Sequence, residues 1–270
     1  MPATLNIALA QLCASPDMDA NLAAVESIIR QAKTQGADYL QLPESWLAMG
    51  LPVAEQLVRV PEALALVQRI AKELQLYVHA GTLPMADSRD HRPYASSLLV
   101  DPQGQLVGRY DKIHLFDALV GDRLGRYQES DSYHPGQLDQ GLQSWSINDW
   151  CFAPAVCYDL RFPELARAYR ALGAQVLCYP SAFTYRTGEA HWLALLQARA
   201  IENGCFVIAA NQTGWHDQQR RTWGHSVVLD PWGRVLAMAD EQPQLVLAQL
   251  QALVLEEVRE QIPSWQHRRL

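Results

Sequence analysis

Short apolar runs alternate with longer amphipathic stretches along the chain, and the order is the same in both halves. The short runs are typical of buried strands, and the longer ones repeat apolar residues at helical spacing. In the first half we predict strands at residues 5–10, 39–42 and 77–82, with helices from Asn21 to a stop at Gly36 and from Pro61 to Leu74. In the second half we predict strands at residues 152–156, 176–179 and 206–210, with helices from Pro163 and over residues 189–203. This alternation predicts an α/β fold.

Each half also contains a predicted hairpin that turns on the sequence D-P-x-G. The two turns are Asp101-Pro102-Gln103-Gly104, between residues 96–100 and 106–110, and Asp230-Pro231-Trp232-Gly233, between residues 226–229 and 234–239. Their matching positions indicate a duplicated plan, although D-P-x-G is also a common type I turn without that meaning. Because no Gly- or Ser-rich linker separates the halves, we expect one domain over residues 1–270. A C-terminal tail from about residue 252, which starts with a short helix, is expected to dock on a partner subunit.

Composition and charge exclude several classes of protein. Hydrophobic residues make up 49% of the chain and charged residues 19%, which is typical of a folded globular protein. The net charge of −7 opposes binding to nucleic-acid backbones and to anionic membrane surfaces, so we expect neither partner. No apolar run approaches the roughly 18 residues of a membrane span, and the N-terminus does not have the pattern of a signal peptide.

The five cysteines indicate a reducing compartment. They are an odd number, widely spaced and without a C-x-x-C pair, so we expect neither disulfides nor a metal site, and a cytoplasmic location. Four of them are interpreted as core residues: Cys13, Cys151, Cys178 and Cys205. Cys157 differs, because it lies where a predicted strand ends and a helix is about to begin at Pro163. Such a position presents a side chain at the carboxyl edge of a sheet, beside free backbone N–H groups.

Two further residues stand at predicted strand ends. Glu44 follows the strand at residues 39–42 and precedes an apolar segment, which favours partial desolvation of its carboxylate. Lys112 follows the strand at residues 106–110 among aromatic and aliphatic neighbours. A thiol nucleophile needs a base, and a tetrahedral intermediate needs a positive group at its oxygen. Glu44 could instead interact with a helix dipole, and Lys112 could pair with a nearby aspartate.

The sequence resembles the nitrilase (carbon–nitrogen hydrolase) superfamily over nearly its whole length. The blocks that carry the resemblance are L-P-E at 42–44, Y-D-K-I-H-L-F-D at 110–117, E-S-D-x-Y-x-P-G at 129–136, C-Y-D-L-R-F-P-E at 157–164, P-S-A-F at 180–183, T-G-x-A-H-W at 187–192, A-R-A-I-E-N at 198–203 and W-G-H-S-V-V-L-D-P-W-G at 223–233. They are most similar to the branch of deaminated glutathione amidases and omega-amidases, and residues 198–202, 224–226 and 266–269 favour the former. Ala95 and Pro154 depart from the family pattern. Ala95 stands where the family usually has asparagine, so a hydrogen bond near the site could be lost. Pro154 removes one backbone N–H donor from a strand.

The resemblance implies a four-layer α-β-β-α sandwich and a thiol amidase that uses no cofactor and forms homodimers. It implies that Glu44 is the base, Cys157 the nucleophile, and Lys112 with the N–H of Tyr158 the oxyanion donors. Glu129 would orient Lys112 and the substrate, a small amide. The remaining residues expected to support or line the substrate pocket are His114, Arg161, Phe183 and Thr187. We expect Arg161 to bind a substrate carboxylate, and an ion pair of Arg161 with Asp159 or Glu164 is the alternative.

Three functions remain in competition at this level. The first is an amidase, with deaminated glutathione favoured over the omega-amidase substrates α-ketoglutaramate and succinamate. The second is a hydrolase in which one of the eight histidines activates Cys157. The third is an interaction scaffold that keeps the fold without the chemistry.

Overall fold

The computed structural model describes residues 2–86, 91–138 and 141–269. The strands are β1 (Thr4–Gln11), β2 (Tyr39–Gln41), β3 (Tyr77–Met85), β4 (Tyr94–Val100), β5 (Leu106–Asp111), β6 (Asp117–Leu119), β7 (Arg126–Gln128), β8 (Trp145–Ile147), β9 (Trp150–Pro154), β10 (Val176–Cys178), β11 (Phe206–Ala209), β12 (Thr213–Trp215), β13 (Arg221–Trp223), β14 (Val227–Leu229), β15 (Val235–Met238) and β16 (Gln244–Gln251). The α-helices are α1 (Met18–Thr34), α2 (Val53–Leu57), α3 (Val60–Leu74), α4 (Pro163–Ala171), α5 (Tyr185–Asn203) and α6 (Ala252–Gln261). Two 3₁₀ turns span Glu129–Asp131 and Cys157–Arg161.

Two six-stranded sheets have the same plan. The first has the order β16-β1-β2-β3-β4-β5 and the second β8-β9-β10-β11-β14-β15. In each, three central strands are parallel, an antiparallel hairpin extends one edge, and one antiparallel strand closes the other. The duplication predicted from the sequence is therefore present in the topology.

The two D-P-x-G turns occupy equivalent places, between β4 and β5 and between β14 and β15. In each turn the aspartate Oδ1 accepts hydrogen bonds from the backbone N–H groups two and four residues further on. Asp101 and Asp230 therefore perform the same local task, which is to close a type I turn.

Alternation of side chains along β1 builds two cores at once. Leu5, Ile7 and Leu9 contribute to the core that lies between the sheets, whereas Ala8 and Ala10 belong to the core beneath α1 and α3. Successive residues of a strand point to opposite faces, so a strand with both faces buried is apolar throughout. On the outer face of the second sheet the covering helices are α4 and α5, which pack on each other, and α5 also packs on β11. The layers are thus α-β-β-α, and the predicted fold is confirmed.

Several element boundaries differ from the predictions. α1 begins at Met18, three residues before Asn21, because the Asp17 side chain caps it by accepting a hydrogen bond from the N–H of Ala20. α5 begins at Tyr185, four residues before the predicted start at residue 189, and α6 begins at Ala252, where the C-terminal tail was predicted to start. The segment of residues 117–136, for which the sequence pattern predicts no regular element, contains the β6–β7 hairpin and a 3₁₀ turn.

The interpretation of four cysteines as core residues is half right. Cys178 and Cys205 are buried, but Cys13 and Cys151 are partly exposed. Cys151 lies on β9 between the buried Trp150 and Phe152, so strand alternation turns it to the opposite face.

The C-terminal segment packs on its own chain. Arg259 of α6 donates hydrogen bonds to the carbonyls of Gly204 and Ala174, and Trp265 lies against the guanidinium of Arg170. Across the described ranges, no helix is both long enough and apolar enough to cross a bilayer.

Candidate active site

Glu44 is placed by a tight turn that follows β2. The backbone of Pro43 passes so close to Gly81 on β3 that a Cβ there would lie 1.9 Å from the Pro43 carbonyl oxygen. Only glycine permits this approach, and Gly81 also has a positive φ of 51°. After the turn, the N–H of Ser45 donates to the Thr82 hydroxyl at 2.9 Å. These contacts turn Glu44, which is buried, away from the sheet and over its carboxyl edge.

Lys112 is the first residue after β5, and its backbone is held on both sides. Its N–H donates to the carbonyl of Ala95 at 3.0 Å, and its carbonyl accepts from the N–H of Gly136 at 2.7 Å. Ala95, one of the departures from the family pattern, thus still supplies a backbone acceptor. The Lys112 side chain is 2% exposed.

Cys157 lies at the start of the 3₁₀ turn that follows β9. Its φ of 45° is in the left-handed region, which is unusual for a residue other than glycine and is typical of strained functional positions. Its N–H donates to the carbonyl of Pro180 at 3.1 Å, which fixes the turn against the neighbouring strand end. Pro154 is the last residue of β9, where a missing N–H costs little.

Lys112 joins two carboxylates in one buried cluster. Its Nζ lies 2.7 Å from Oε1 of Glu44 and 2.9 and 2.8 Å from the two oxygens of Glu129. Glu129 comes from the segment between the halves, and the N–H of Phe116 donates to its Oε2 at 2.6 Å. Such a cluster of buried charges is stable only while all its members are paired, so each fixes the position of the others.

The surroundings shift the pKa values of Lys112, Glu129 and Cys157. Burial disfavours the charge on Lys112, but Glu129 and Glu44 outweigh it and raise the pKa of the ammonium well above its usual value. Burial raises the pKa of Glu129, and Lys112 opposes the shift without cancelling it. Burial and then the adjacent Glu44 carboxylate raise the pKa of the Cys157 thiol well above its usual value, whereas Lys112 and the N–H of Ala182 favour the thiolate. At neutral pH Cys157 therefore carries its proton, and a base must remove it during attack.

The Cys157 thiol lies where two pockets meet. The larger cavity, about 500 Å³, also includes Glu44, Lys112 and Glu129 in its lining. The smaller pocket has a volume of about 20 Å³, and its lining residues are Phe116, Cys157, Tyr158, Arg161, Ala182, Phe183, Thr184 and Thr187. Phe116, Cys157, Ala182 and Thr184 belong to both. We call the two spaces the wide cavity and the narrow pocket.

Most of the residues proposed to bind substrate lie in the narrow pocket. Tyr158, Arg161, Phe183 and Thr187 all line it. The Arg161 guanidinium lies over the rings of Tyr158 and Phe183, and its Nη1 is 3.2 Å from Nδ1 of His191. Within the described residues Arg161 forms no ion pair with Asp159 or Glu164, which was the alternative interpretation.

His114 lies elsewhere. It follows the end of β5, two residues after Lys112, and it lines neither the narrow pocket nor the wide cavity. Its ring stacks on Phe162 at 3.6 Å, and its Nδ1 lies 2.7 Å from Oδ1 of Asp159. The structure thus places His114 against the 3₁₀ turn that contains Cys157 and not in the pockets.

Three residues that contribute to the site were not singled out from the sequence. The N–H groups of Phe116 and Ala182 act through the backbone, which leaves no signal in residue type. Asp159 is almost fully buried and accepts hydrogen bonds from the Tyr110 hydroxyl, the His114 backbone and the N–H of Val156. Its place two residues after Cys157 in C-Y-D was the available signal.

The linings of the two pockets bear on the competing functions. Among the described residues that line them there is no histidine, whereas the Glu44 carboxylate shares the wide cavity with the Cys157 thiol. Nor does the described part of the chain contain a group of three or more His, Cys, Asp or Glu residues arranged to hold a metal ion.

Comparison with known proteins gives a consistent result. A family model described as carbon-nitrogen hydrolase matches residues 6–260. The chain is 40% identical over 271 residues to a Yersinia enterocolitica protein named deaminated glutathione amidase, covering 98% of this chain and 93% of that protein. It is 35% identical to omega-amidase NIT2-B of Xenopus laevis, covering 99% and 96% respectively. The crystal structure of the C. elegans NitFhit protein matches with a TM-score of 0.92 at 34% identity, covering 99% of this chain and 65% of NitFhit.

Proposed function

The chain belongs to the carbon–nitrogen hydrolase family, and from that premise we propose that it is a thiol amidase acting on a linear amide of a small carboxylic acid. The observation that carries the proposal is the contact of Lys112 Nζ with both Glu44 and Glu129 in the wide cavity that the Cys157 thiol also lines. A base, a cation and a nucleophile then share one desolvated space, as acyl transfer requires.

The first half of the reaction forms a thioester. Glu44 takes the thiol proton while Sγ of Cys157 attacks the amide carbonyl carbon. The carbonyl oxygen becomes an oxyanion, which the Lys112 ammonium and the N–H of Tyr158 stabilise. Glu44 then gives its proton to the amide nitrogen, the C–N bond breaks, and the amine leaves.

The second half hydrolyses that thioester. A water molecule enters the space left by the amine, Glu44 takes one of its protons, and the resulting oxygen attacks the thioester carbon. Sγ of Cys157 leaves and regains the proton, which releases the acid and restores the starting state. Throughout, Glu129 holds Lys112 in position through two hydrogen bonds.

Deaminated glutathione is the substrate we favour. The 40% identity to a protein named deaminated glutathione amidase supports it, and Arg161 in the narrow pocket suits a carboxylate of the acid. The alternative is an omega-amidase that acts on α-ketoglutaramate, with ammonia as the leaving group, and the 35% identity to an omega-amidase keeps it open.

The deciding experiment measures acid release from deaminated glutathione and from α-ketoglutaramate at equal concentration. We expect faster release from deaminated glutathione, and a loss of about 10²–10⁴-fold for both in Glu44→Gln, the range for removal of a general base. The exposed Glu55→Gln serves as the matched control. Faster release from α-ketoglutaramate would favour the omega-amidase. Activity retained in Glu44→Gln but lost on replacement of a histidine would favour a histidine-activated thiol, and inactivity towards all amides would favour a scaffold.

We also propose that the protein forms a homodimer through α4 and α5. Arg167 and Arg170 of α4 donate to backbone carbonyls at the end of α5, so the two helices present one surface. Leu172 at the end of α4 and Ile201 on α5 are both more than half exposed and add apolar area to this surface. We further propose a cytoplasmic location, in keeping with its five free thiols.

A further inference from the structure

The proposed mechanism gives no task to one polar side chain that lies next to the charged cluster. Tyr133 follows the 3₁₀ turn that begins at Glu129, and its N–H donates to the Glu129 carbonyl at 3.0 Å. Residues four apart on a helical turn lie on the same side of it. Both side chains line the wide cavity, and neither lines the narrow pocket. Tyr133 therefore faces the larger of the two spaces that reach the thiol.

The Tyr133 hydroxyl is free to bind a molecule in that cavity. Across residues 2–86, 91–138 and 141–269 it has no hydrogen-bond partner, and its oxygen is open to the cavity. Burial and the carboxylates of Glu129 and Glu44 raise the pKa of this hydroxyl, against the opposing effect of Lys112. At neutral pH it therefore keeps its proton and can both donate and accept a hydrogen bond.

The polar groups around it are already engaged with one another. Lys112 and Glu129 hold each other through two contacts, at 2.9 and 2.8 Å. Tyr127 also lines the wide cavity, but its hydroxyl donates to Asp122 at 2.8 Å. Of the two tyrosines among the described lining residues, Tyr133 is thus the one whose hydroxyl remains available.

Hydrolysis of the thioester needs such a group more than its formation does. The amide is held by its own binding contacts when Sγ of Cys157 attacks, whereas water is a small free molecule that must be aimed at the thioester carbon. A water fixed in a protein site typically makes about three hydrogen bonds. Glu44 supplies one of them as the base, so a second fixed group is needed to set the direction of attack.

We infer that Tyr133 is a catalytic residue for the hydrolytic half of the reaction, in which its hydroxyl holds the attacking water beside Glu44. Glu44 takes one proton of this water as the new O–C bond forms. The C–S bond then breaks, and Sγ of Cys157 regains the proton from Glu44. The water's other hydrogen is donated in a hydrogen bond to the Tyr133 oxygen, which keeps its own proton throughout. This inference rests on the proposed amidase function and adds a residue that serves only one of its two halves.

Hydroxylamine separates the two halves in an experiment. Its nitrogen attacks the thioester carbon in place of water and releases a hydroxamate, and as the stronger nucleophile it depends less on being aimed. At a fixed hydroxylamine concentration the ratio of hydroxamate to acid therefore measures the water step, whichever step limits kcat. The substrate is deaminated glutathione or α-ketoglutaramate, whichever the unmodified enzyme hydrolyses faster.

Tyr133→Phe removes a hydroxyl that has no partner in the described chain and keeps the ring, so packing is retained. We expect the ratio of hydroxamate to acid to rise by about 10–100-fold, the effect of a misaligned reacting group. The kcat/KM for amine release reports thioester formation and should stay within about threefold of its original value. Tyr127→Phe is the matched control, because its hydroxyl is already used by Asp122, and it should leave the ratio unchanged.

The possible failures are distinguishable. An unchanged ratio in Tyr133→Phe, or equal rises in Tyr133→Phe and Tyr127→Phe, would overturn the role of Tyr133 and leave the amidase intact. A rise in Ser45→Ala alone would do the same, because Ser45 also lines the cavity and would then hold the water. Loss of thioester formation in Tyr133→Phe would contradict a role confined to hydrolysis. Absence of both acid and hydroxamate from either amide with the unmodified enzyme would overturn the proposed function and this inference with it.

Discussion

At the scale of single residues, burial and pairing decide which groups carry charge. Lys112 remains an ammonium in the interior because two carboxylates contact it. His79, which is fully buried between the sheets, has no such partner and contacts the side chains of Tyr39, Gln41 and Ser97. Burial lowers the pKa of His79 from 6.5 to about 3, so the ring is neutral in the folded protein.

This neutral histidine predicts a sensitivity to acid. Between pH 6.5 and about 3 the unfolded chain binds a proton at His79 that the folded protein does not, so the free energy of unfolding falls as the pH falls. The slope from this group is about 1.4 kcal/mol per pH unit. We expect the free energy of unfolding, measured in urea at several pH values, to fall less steeply with decreasing pH in His79→Gln than in the unmodified protein. The exposed His267→Gln is the control and should follow the unmodified protein. Burial also lowers the pKa of His216, so this residue should still cause part of the pH dependence of the free energy of unfolding in His79→Gln. Parallel declines in all three proteins would contradict the prediction.

At the scale of elements, the 3₁₀ turn with Cys157 and the segment with Lys112 must stay in register. Asp159 connects them: its Oδ2 lies 2.7 Å from the Tyr110 hydroxyl and its Oδ1 lies 2.7 Å from Nδ1 of His114. The same carboxylate accepts from the N–H of Val156 at 2.8 Å, which shapes the turn itself. Asp159 is thus a positioning residue that acts through these neighbours.

Asp159→Asn should lower kcat by about 10²-fold, because an amide cannot accept all of these hydrogen bonds and the thiol shifts relative to Lys112. KM should change little, since Asp159 does not line either pocket. Steady-state kinetics at a temperature where the variant is folded would measure this, with the exposed Asp149→Asn as control. An unchanged kcat in folded protein would show that the turn holds its shape without Asp159.

At the scale of the whole molecule, both halves contribute to one site and expose one apolar surface. We predict that light scattering at micromolar concentration gives twice the 30.3 kDa of one chain. Leu172→Asp should shift the mass towards that of a monomer, because a charge would lie in the contact between copies. Val58→Asp, at an exposed apolar position near α2, should not. A monomer in the unmodified protein, or equal effects of both changes, would contradict pairing through α4 and α5.

Much of this architecture could be read from the sequence, for reasons that are local. Apolar periodicity located the central strands and the long helices, and D-P-x-G located both hairpins, because these signals lie within a few neighbouring residues. The strand-end positions of Glu44, Lys112 and Cys157 followed from the same pattern. The predicted family and enzyme class are confirmed by the match over residues 6–260.

Tertiary structure decided what depends on contacts between distant parts of the chain. β16 becomes an edge strand by pairing with β1 across more than 230 residues, and Glu129 reaches Lys112 from the 3₁₀ turn that follows β7. The two pockets on either side of Cys157, and the arginines in them, exist only after both sheets pack. Periodicity records which face of an element is buried, but it does not record which partner buries it. The chain by itself therefore determined the elements and singled out Glu44, Lys112 and Cys157 as candidates, whereas packing determined their distances, their pKa values and the space left for the substrate.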